Sequence, residues 1–433
     1  MAHRLSTARG ITLILSLAMT SLAQGQIRFE DIASKAGLKF ELHNGAKGEF
    51  RQPELMLGGV AVLDYNNDGC MDIFFTNGGD MPSLQKTGPE YYNRLFRNNC
   101  DGTFTDVTQQ AGVAGDGYSM GVAVADYDND GYPDIFVASL NRNILYRNRG
   151  NGTFEDVTAK ARLGGVDAHF GKLWSVAAAW VDVDNDGWLD LVVSNYVQWD
   201  PHLEPTCGPP DRPEYCHPNA YHDTPNQLFR NNHDGTFTDI TQSSGLGAHL
   251  GKGMGVAVAD YDGDGLMDIF VANDSVPNFL FHNLGRGKFE EVGLLAGVAL
   301  NEDGRPVAGM GTDFRDFDND GRVDAVVANL NGPARLFHNV TPNAGHWLAL
   351  KLNGKRSNRD GIGARVEVTL PSGRKLYNHG TTSVGYASSS EPFLRFGLGK
   401  EAVAQLIQIR WPSGQVQTLN NVKADKVLQV TEP

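Results

Sequence analysis

The nine residues Asp126-Tyr127-Asp128-Asn129-Asp130-Gly131-Tyr132-Pro133-Asp134 decide the fold of this chain. Carboxylates stand at positions 1, 3, 5 and 9 of this stretch, and glycine stands at position 6. Two carboxylates ~4 Å apart repel each other by about 1 kcal/mol in water and about 4 kcal/mol near a protein surface. Ca²⁺ reverses that repulsion because it binds about 6–8 oxygens at roughly 2.3–2.6 Å. The stretch therefore predicts a calcium loop that turns at its glycine.

The same acidic loop occurs five times, and the interval between successive loops is 56 to 78 residues. The five loops are Asp64–Asp72, Asp126–Asp134, Asp182–Asp190, Asp260–Asp268 and Asp316–Asp324. An EF-hand loop has Glu at position 12 and lies between helices, whereas position 12 is apolar here and lies in a strand-like run. The pattern therefore indicates calcium loops within β-hairpins.

Each loop lies between two short apolar runs that read as strands, and a second hairpin follows with turns such as Asp101-Gly102. Repeated four-stranded units predict an all-β propeller with five clear repeats; divergent repeats could raise the blade number. The last repeat lacks its fourth strand, and a copy of that strand lies at Arg28–Ile32. Pairing the two would close the ring and remove an exposed edge.

Within each loop, positions 1, 3, 5 and 9 are predicted to supply side-chain oxygens and position 7 a backbone carbonyl. Asn66 replaces aspartate at position 3 of the first loop, so that site should be the weakest. The cofactor prediction is Ca²⁺ at about five structural sites, because zinc would require His or Cys ligands. The predicted metal ligands are Asp64, Asn66, Asp68, Cys70, Asp72, Asp126, Asp128, Asp130, Tyr132, Asp134, Asp182, Asp184, Asp186, Trp188, Asp190, Asp260, Asp262, Asp264, Leu266, Asp268, Asp316, Asp318, Asp320, Arg322 and Asp324.

Residues 1–25 combine two arginines with an apolar run at Ile11–Leu22, a pattern typical of a secretory signal peptide. The rest of the 433-residue chain has no apolar stretch long enough to predict a membrane span. The formal net charge of −14 argues against a nucleic-acid partner, which would require neutralisation of phosphates. The expected location is extracellular, periplasmic or in the cell envelope.

An exported chain can form disulfides, and two pairs of cysteines are candidates. Cys70 lies in the first acidic loop and Cys100 in the second hairpin turn of the same repeat, two connections that a blade places on one face. We predict a Cys70–Cys100 disulfide, with two free buried thiols as the alternative. Cys207 and Cys216 lie nine residues apart in a Pro-rich insertion, which a disulfide would hold together.

The insertion at residues 196–226 lengthens the third repeat and is rich in aromatic residues and histidine. Long insertions in compact folds are often functional, and aromatic side chains suit contacts with sugars or proteins. The candidate ligand-binding residues are Trp199, Tyr215, His217 and Tyr221. The alternative is that aromatic residues of this repeat belong to the core, as expected for Trp180, which stands where Val124 stands in the second repeat.

From residue 346 the acidic loops stop, and residues 346–433 read as a separate small β-sandwich-like domain after a propeller at residues 26–345. The repeats resemble the FG-GAP/VCBS family, a resemblance that implies a calcium-loop propeller like the integrin α-subunit head. The C-terminal segment resembles the ASPIC/UnbV domain. The second resemblance rests on Ser357–Val366, Gly385-Tyr386, Arg395–Gly399 and Trp411–Gly414. Ser388-Ser389-Ser390 depart from the ASPIC/UnbV pattern, in which a Gln is commonly found. Together the two segments are similar to the CRTAC-like secreted proteins, a resemblance that implies calcium binding and extracellular interaction.

These features predict a secreted, calcium-binding propeller that acts as a non-catalytic adhesion or interaction module for an extracellular protein or glycan. No convergent set of acid, base and nucleophile is visible in the sequence, so no catalytic residue is assigned. The alternative is a carbohydrate-active enzyme, a lyase or hydrolase, with a site near the insertion at 195–226. A purely structural envelope protein is a third interpretation. The oligomeric state is left open.

Overall fold

The computed structural model describes residues 29–259, 266–301, 303–306, 325–327, 335–339, 345–384, 387–390 and 392–433. Within these ranges the regular structure consists almost entirely of β-strands, as the sequence predicts. Three four-residue α-helices, Thr108–Ala111, Thr158–Ala161 and Thr241–Ser244, each follow the outermost strand of a repeat. Four 3-10 turns lie at Gln52–Leu55, Pro89–Tyr91, Pro218–Ala220 and Leu246–Ala248. No helix in the described ranges is both long and apolar enough to cross a membrane.

The first four repeats each form four antiparallel strands in sequence order. The strands of the first two repeats are Val60–Leu63, Asp72–Phe75, Arg94–Asn98 and Phe104–Asp106, then Tyr118–Ala125, Asp134–Leu140, Ile144–Asn148 and Phe154–Asp156. Those of the third and fourth are Ser175–Val181, Asp190–Asn195, Gln227–Asn231 and Phe237–Asp239, then Gly253–Ala259, Asp268–Asn273, Phe279–Asn283 and Phe289–Glu291. Two further antiparallel pairs have strands of only two residues. Val166–Asp167 pairs with Gly171–Lys172, and Thr224–Pro225 pairs with Leu250–Gly251.

Small and β-branched residues make the first strand of each repeat, which we call the inner strand, and they allow neighbouring sheets to pack closely. All eight residues of the inner strand Tyr118–Ala125 are buried. Trp180 is fully buried in the core between the second and third repeats and stacks on Tyr127 at 5.8 Å between ring centroids. The core interpretation of Trp180 is therefore confirmed.

The unmatched N-terminal strand pairs with the last repeat, as the sequence predicts. Phe29–Asp31 pairs antiparallel with Arg335–Asn339, which in turn pairs with Ala325–Val327. The N-terminal strand thus supplies the fourth strand of the fifth repeat, so the chain ends of the propeller are joined by backbone hydrogen bonds.

The C-terminal segment forms two sheets that enclose their own apolar core. One sheet contains Leu394–Gly399, His346–Asn353 and Lys426–Thr431, with a parallel pair between the last two. The other contains Lys375–His379, Arg365–Thr369, Val403–Arg410 and Val416–Lys423. Two facing sheets with alternating buried residues agree with the predicted sandwich.

The C-terminal domain has its own core, and one of its hairpins also contacts the propeller. Its strands are Ser383–Val384 and Ser388–Ser390, and the second pairs parallel with Val60–Leu63 of the first repeat. Ala387 O accepts a hydrogen bond from Val122 N at 3.0 Å. The hairpin contacts the inner strands of the first four repeats, so it lies along the propeller axis. We call the pair of strands Ser383–Val384 and Ser388–Ser390 the axial hairpin.

The other end of the axis, away from the acidic loops, is covered by the insertion of the third repeat. Arg51 Nη1 donates to Pro201 O at 2.7 Å, and Tyr215 Oη donates to Glu54 at 2.9 Å. Beneath these contacts an apolar layer includes Tyr118 and Trp174 at the starts of inner strands. The insertion therefore bridges the third repeat to the first, and both ends of the axis are occupied by protein.

Candidate functional site: acidic loops and a pocket beneath the insertion

The second acidic loop folds around the carboxylate at its first position. Asp126 accepts hydrogen bonds from Asp130 N at 2.9 Å and Gly131 N at 2.7 Å, and the positive φ of 97° at Gly131 makes the turn. Asp134 begins the next strand and accepts a hydrogen bond from Asn148 N at 2.7 Å. The strand ends therefore fix the first and ninth positions before any ion binds.

Three carboxylates converge in each of two loops. Asp126, Asp128 and Asp134 place one oxygen each within 4.8 Å of one another, and Asp182, Asp184 and Asp190 do the same in the third repeat. Oδ1 of the position-3 side chain in both loops is buried and accepts no hydrogen bond from the described residues. A buried oxygen without a donor, beside two further carboxylates, fits a bound cation.

The electrostatics of these groups favour neutralisation. Burial raises the pKa of Asp126 to about 8, and the nearby Asp360 carboxylate is the second cause. Burial raises the pKa of Asp182 to about 7 and that of Asp134 and Asp190 well above the usual range. In the metal-free protein Asp126 therefore tends to hold a proton at pH 7, and burial disfavours the charged form of the other three carboxyls; a divalent cation would replace such protons.

The position-5 carboxylates have partners outside the loop that the sequence did not indicate. Asp130 pairs with Arg147 at 2.9 Å, and Asp186 contacts His233 at 2.8 Å. Neither belongs to the convergent groups of three. Each instead accepts a hydrogen bond from the backbone N–H at position 7 of its own loop. Asp130 accepts from Tyr132 at 3.0 Å, and Asp186 accepts from Trp188 at 2.9 Å.

The first loop has the same turn but a different set of side chains. Asp64 accepts hydrogen bonds from Asp68 N at 3.0 Å and from Gly69 N at 2.9 Å. Burial raises the pKa of Asp72 to about 8. Asn66 donates to Asp68 at 2.8 Å instead of adding a carboxylate.

The two disulfides join the predicted pairs, Cys70 to Cys100 and Cys207 to Cys216. Asp68, Cys70 and Cys100 come together, but both sulfurs are in the disulfide and provide no thiolate for a metal.

The fourth and fifth loops lie largely outside the described residues. The predicted ligands that lie outside the described residues are Asp260, Asp262, Asp264, Asp316, Asp318, Asp320, Arg322 and Asp324. Asp268, at position 9 of the fourth loop, is within the described residues and is buried. It accepts a hydrogen bond from Asn283 N at 2.8 Å, as the position-9 aspartate of the second loop does from Asn148 N. Leu266, at position 7, is half-buried.

The C-terminal domain docks on the acidic loops, a contact that the sequence did not predict. Asp360 accepts the backbone N–H of Asp126 at 2.9 Å, and Arg359 N donates to Asn129 Oδ1 at 2.9 Å. Ile362 is buried in the core between the second and third repeats. These three residues belong to the segment that carried the ASPIC/UnbV resemblance, so the signature segment packs against the loops that would hold metal.

A pocket of about 710 Å³ lies beneath the insertion. Its walls include Trp199 and Tyr221, two of the four predicted ligand residues, together with Asn141, Phe170, Lys172, Gln198, Asp200, Pro201, His202, Leu203, Pro205, Ala220 and His222. Tyr215 and His217 are elsewhere in the insertion: Tyr215 binds Glu54, and His217 caps a 3-10 turn by accepting Asn219 N at 3.2 Å. Lys172 and Phe170 come from the preceding hairpin, which the sequence did not mark.

The sequence also matches known proteins. A model described as FG-GAP-like repeat matches residues 64–137, 126–193, 219–271 and 260–327, and one described as ASPIC and UnbV matches residues 354–433. Mouse cartilage acidic protein 1 is 28% identical over 289 residues, which cover 64% of this chain and 41% of the relative. The human protein of that name is 40% identical over 99 residues, which cover 23% of this chain and 14% of the relative.

A solved structure of an Agrocybe aegerita lectin that recognises non-reducing terminal N-acetylglucosamine aligns over 88% of this chain and 85% of its own. Its sequence identity is 18% and its TM-score 0.33, a level that supports no conclusion about function. The repeat model, in contrast, matches more than half of the chain. The protein therefore belongs to the FG-GAP-like repeat family and carries a C-terminal ASPIC and UnbV domain.

Proposed function

We propose that this protein is a secreted, calcium-stabilised propeller that binds an extracellular glycan or protein in the pocket beneath its insertion and catalyses no reaction. The observation that carries the proposal is the pocket itself, because it is built by the one long insertion in the repeats. Its volume of about 710 Å³ is within the usual range of ligand sites.

The pocket wall is held rigid by one carboxylate. Glu204 accepts hydrogen bonds from the Trp199 indole N–H and from Tyr221 Oη, the latter at 2.6 Å. It also accepts Gln52 N of the first repeat at 3.3 Å. The aromatic side chains are therefore fixed before a ligand arrives, which lowers the entropic cost of binding.

The cation component of the proposal rests on the acidic loops. Two loops each supply three convergent carboxylates, and hard oxygen donors of this kind suit Ca²⁺. When bound, Ca²⁺ would neutralise the buried carboxylates and fix the loops between adjacent strands. Two disulfides further support an oxidising, extracytoplasmic location.

A binding screen with matched variants tests the pocket. The calcium-loaded protein is incubated with an array of glycans and extracellular proteins, and binding is compared with that of His202→Ala and His222→Ala. Both histidines are exposed pocket residues, so their removal should weaken binding without unfolding the chain. His217→Ala is the control, since His217 is in the same insertion but outside the pocket.

The outcomes separate the proposals. Binding that is lost in the two pocket variants and kept in the control supports an interaction module. Equal binding by all variants would place the ligand elsewhere and contradict the proposal. Turnover of a polysaccharide that disappears in the pocket variants would instead establish a carbohydrate-active enzyme.

A further inference from the structure

The pocket beneath the insertion contains two opposite charges that do not pair with each other. Lys172 and Asp200 both line this pocket, and both are exposed. Neither side chain forms an ion pair with any residue that the structure describes. Two charges that share a pocket and are left unpaired are available to a ligand, so they indicate which groups that ligand carries.

The short hairpin that carries Lys172 is fixed by its own turn. Lys172 pairs with Val166 across the two strands. In the turn between them, Asp167 Oδ1 accepts hydrogen bonds from His169 N at 2.7 Å and from Phe170 N at 2.9 Å. Phe170 also lines the pocket. The hairpin therefore presents one cation and one aromatic ring to the pocket from a turn that is already formed.

Asp200 is fixed in the insertion in a similar way. Its Oδ1 accepts a hydrogen bond from His202 N at 2.7 Å, and its backbone oxygen accepts one from Leu203 N at 3.0 Å. Its Oδ2 accepts no hydrogen bond from the residues that the structure describes. An ionised carboxylate can only accept, so Asp200 offers the ligand an oxygen that requires a donor.

We propose that the pocket selects a glycan that carries a uronic acid, with Lys172 bound to the sugar carboxylate and Asp200 bound to its hydroxyl groups. The inference rests on the binding function proposed for this pocket. An ammonium and a carboxylate form a charge-assisted hydrogen bond, and hydroxyl groups supply the donors that Asp200 requires. The amides of Asn141 and Gln198 also line the pocket and can both donate to and accept from hydroxyl groups. Phe170 provides an apolar ring face for the sugar.

A uronic acid fits these groups better than an acidic peptide or a neutral sugar. The side chain of Asp or Glu in a peptide would pair with Lys172 but has no donor for Asp200. A neutral sugar would leave Lys172 unpaired. A uronic acid carries its carboxylate and its hydroxyl groups on one rigid ring, so a single sugar can meet both charges. The pocket volume of about 710 Å³ is within the usual range for compact ligands.

Calorimetric titration of the full-length, calcium-loaded protein tests the inference. The probes are tetrasaccharides of galacturonic acid and of glucuronic acid, the carboxyl-reduced form of each, and a glutamate-rich peptide. Lys172→Met removes the charge and keeps an aliphatic stem, whereas Asp200→Asn keeps an oxygen that can accept from His202 N. Lys160→Met is the matched control, because Lys160 is exposed in the helix Thr158–Ala161 and does not line the pocket.

We expect one of the uronic-acid tetrasaccharides to bind about tenfold or more tightly than its carboxyl-reduced form, as for one hydrogen bond between charged groups. Lys172→Met should abolish this preference by weakening the acidic form alone. Asp200→Asn should weaken the carboxyl-reduced form, and Lys160→Met should change neither affinity.

Four results would overturn the inference or part of it. The acid is wrong if neither uronic-acid probe is preferred over its reduced form, and the site is wrong if Lys160→Met weakens binding as much as Lys172→Met. The hydroxyl contact is wrong if Asp200→Asn leaves the affinity for the reduced form unchanged, and the glycan is wrong if the acidic peptide binds as tightly as the sugars. Binding of a neutral glycan that is lost in His202→Ala and His222→Ala would overturn the acid and leave the proposed function standing.

Discussion

Removing calcium should reverse the pH dependence of stability. In the metal-free protein, the pKa of Asp72 and of Asp126 is raised to about 8 and that of Asp182 to about 7, in each case mainly by burial. All three have an ordinary value of 3.8 in the unfolded chain. A folded-state pKa above the unfolded value means that the protonated form stabilises the fold. That contribution is complete below pH 4 and is lost as the pH rises towards 8.

The size of the effect follows from the shifts. Between pH 5 and pH 7 a carboxyl with a folded pKa of about 8 loses about 1.4 kcal/mol per pH unit, or ~2.7 kcal/mol in total. Asp72, Asp126 and Asp182 together would contribute at most ~8 kcal/mol to this loss, and the coupling of Asp126 to Asp360 lowers that figure. With saturating Ca²⁺ the sign changes, because protons then compete with the ion. Each filled site adds about 4 kcal/mol when the free ion is ~1,000-fold above its Kd.

Urea unfolding at pH 5, 6 and 7, with chelator or with excess Ca²⁺, measures both trends. The unfolding midpoint should fall with rising pH in chelator and hold or rise in Ca²⁺. Asp128→Asn removes one of three convergent carboxylates and should reduce the stabilisation by Ca²⁺, whereas Asp116→Asn, at an exposed aspartate outside the loops, should not. A midpoint in chelator that is flat or rises between pH 5 and 7 would refute the electrostatic reasoning. A midpoint at pH 7 that ignores Ca²⁺ would refute the metal sites.

Three further predictions concern the C-terminal domain and its contacts. Glu432 is buried and accepts three backbone N–H groups at 2.7 to 2.9 Å, which lower its pKa to about 2 from 4.5 despite the opposing effect of burial. Glu432→Gln should therefore cost about 3 kcal/mol above pH 5 in urea unfolding, and the difference from wild type should shrink as the pH falls towards 2. Gly121→Ala should lower the free energy of unfolding by more than ~2 kcal/mol, because a Cβ at this position would lie 2.1 Å from a backbone oxygen. Gly255→Ala is the control: it changes the same repeat position, but the nearest atom to its Cβ would be 3.8 Å away, so the unfolding midpoint should change little. Asp360→Asn should accelerate proteolysis between the domains if its hydrogen bond to the second acidic loop holds them together, and unchanged cleavage would count against that role.

The repeats made most of the propeller predictable. Five copies of one acidic loop fix the order of strands within a repeat, and the unmatched strand at Phe29–Asp31 reveals how the ring closes. The pairing of Cys70 with Cys100 followed from the same logic, since hairpin geometry places both connections on one face. Periodic signals of this kind are local and repeated, so a single sequence is enough to detect them.

The axial hairpin was not predictable, because its residues carry no periodic signal. Ser388-Ser389-Ser390 appeared only as a departure from the ASPIC/UnbV pattern. In the structure Ser389 Oγ accepts the backbone N–H of Val124 at 2.9 Å and donates to Thr382 O at 2.8 Å. A short hydroxyl side chain satisfies both groups in the space between inner strands. Its role depends on contacts more than 200 residues apart in the chain, which the sequence alone does not display.

The sequence located the acidic loops but did not indicate the partners of their side chains. The position-5 carboxylates turn to Arg147 and His233, side chains from the second hairpin of the same repeat. Those cations are not part of the loop motif, so the motif alone could not indicate them. The insertion was marked by its length and composition, yet only Trp199 and Tyr221 of its four candidate residues face the pocket.

The closed axis limits where a ligand can bind. A propeller often offers its central channel as a site, but here the axial hairpin pairs with the first inner strand and the insertion covers the other end. The pocket proposed as the ligand site lies accordingly on a surface added to the repeats, beneath the insertion. The acidic loops instead support the C-terminal domain, since the segment at Arg359-Asp360 rests directly on the second loop. A cation in that loop would act by fixing the C-terminal domain on the propeller, without touching a ligand in the pocket beneath the insertion.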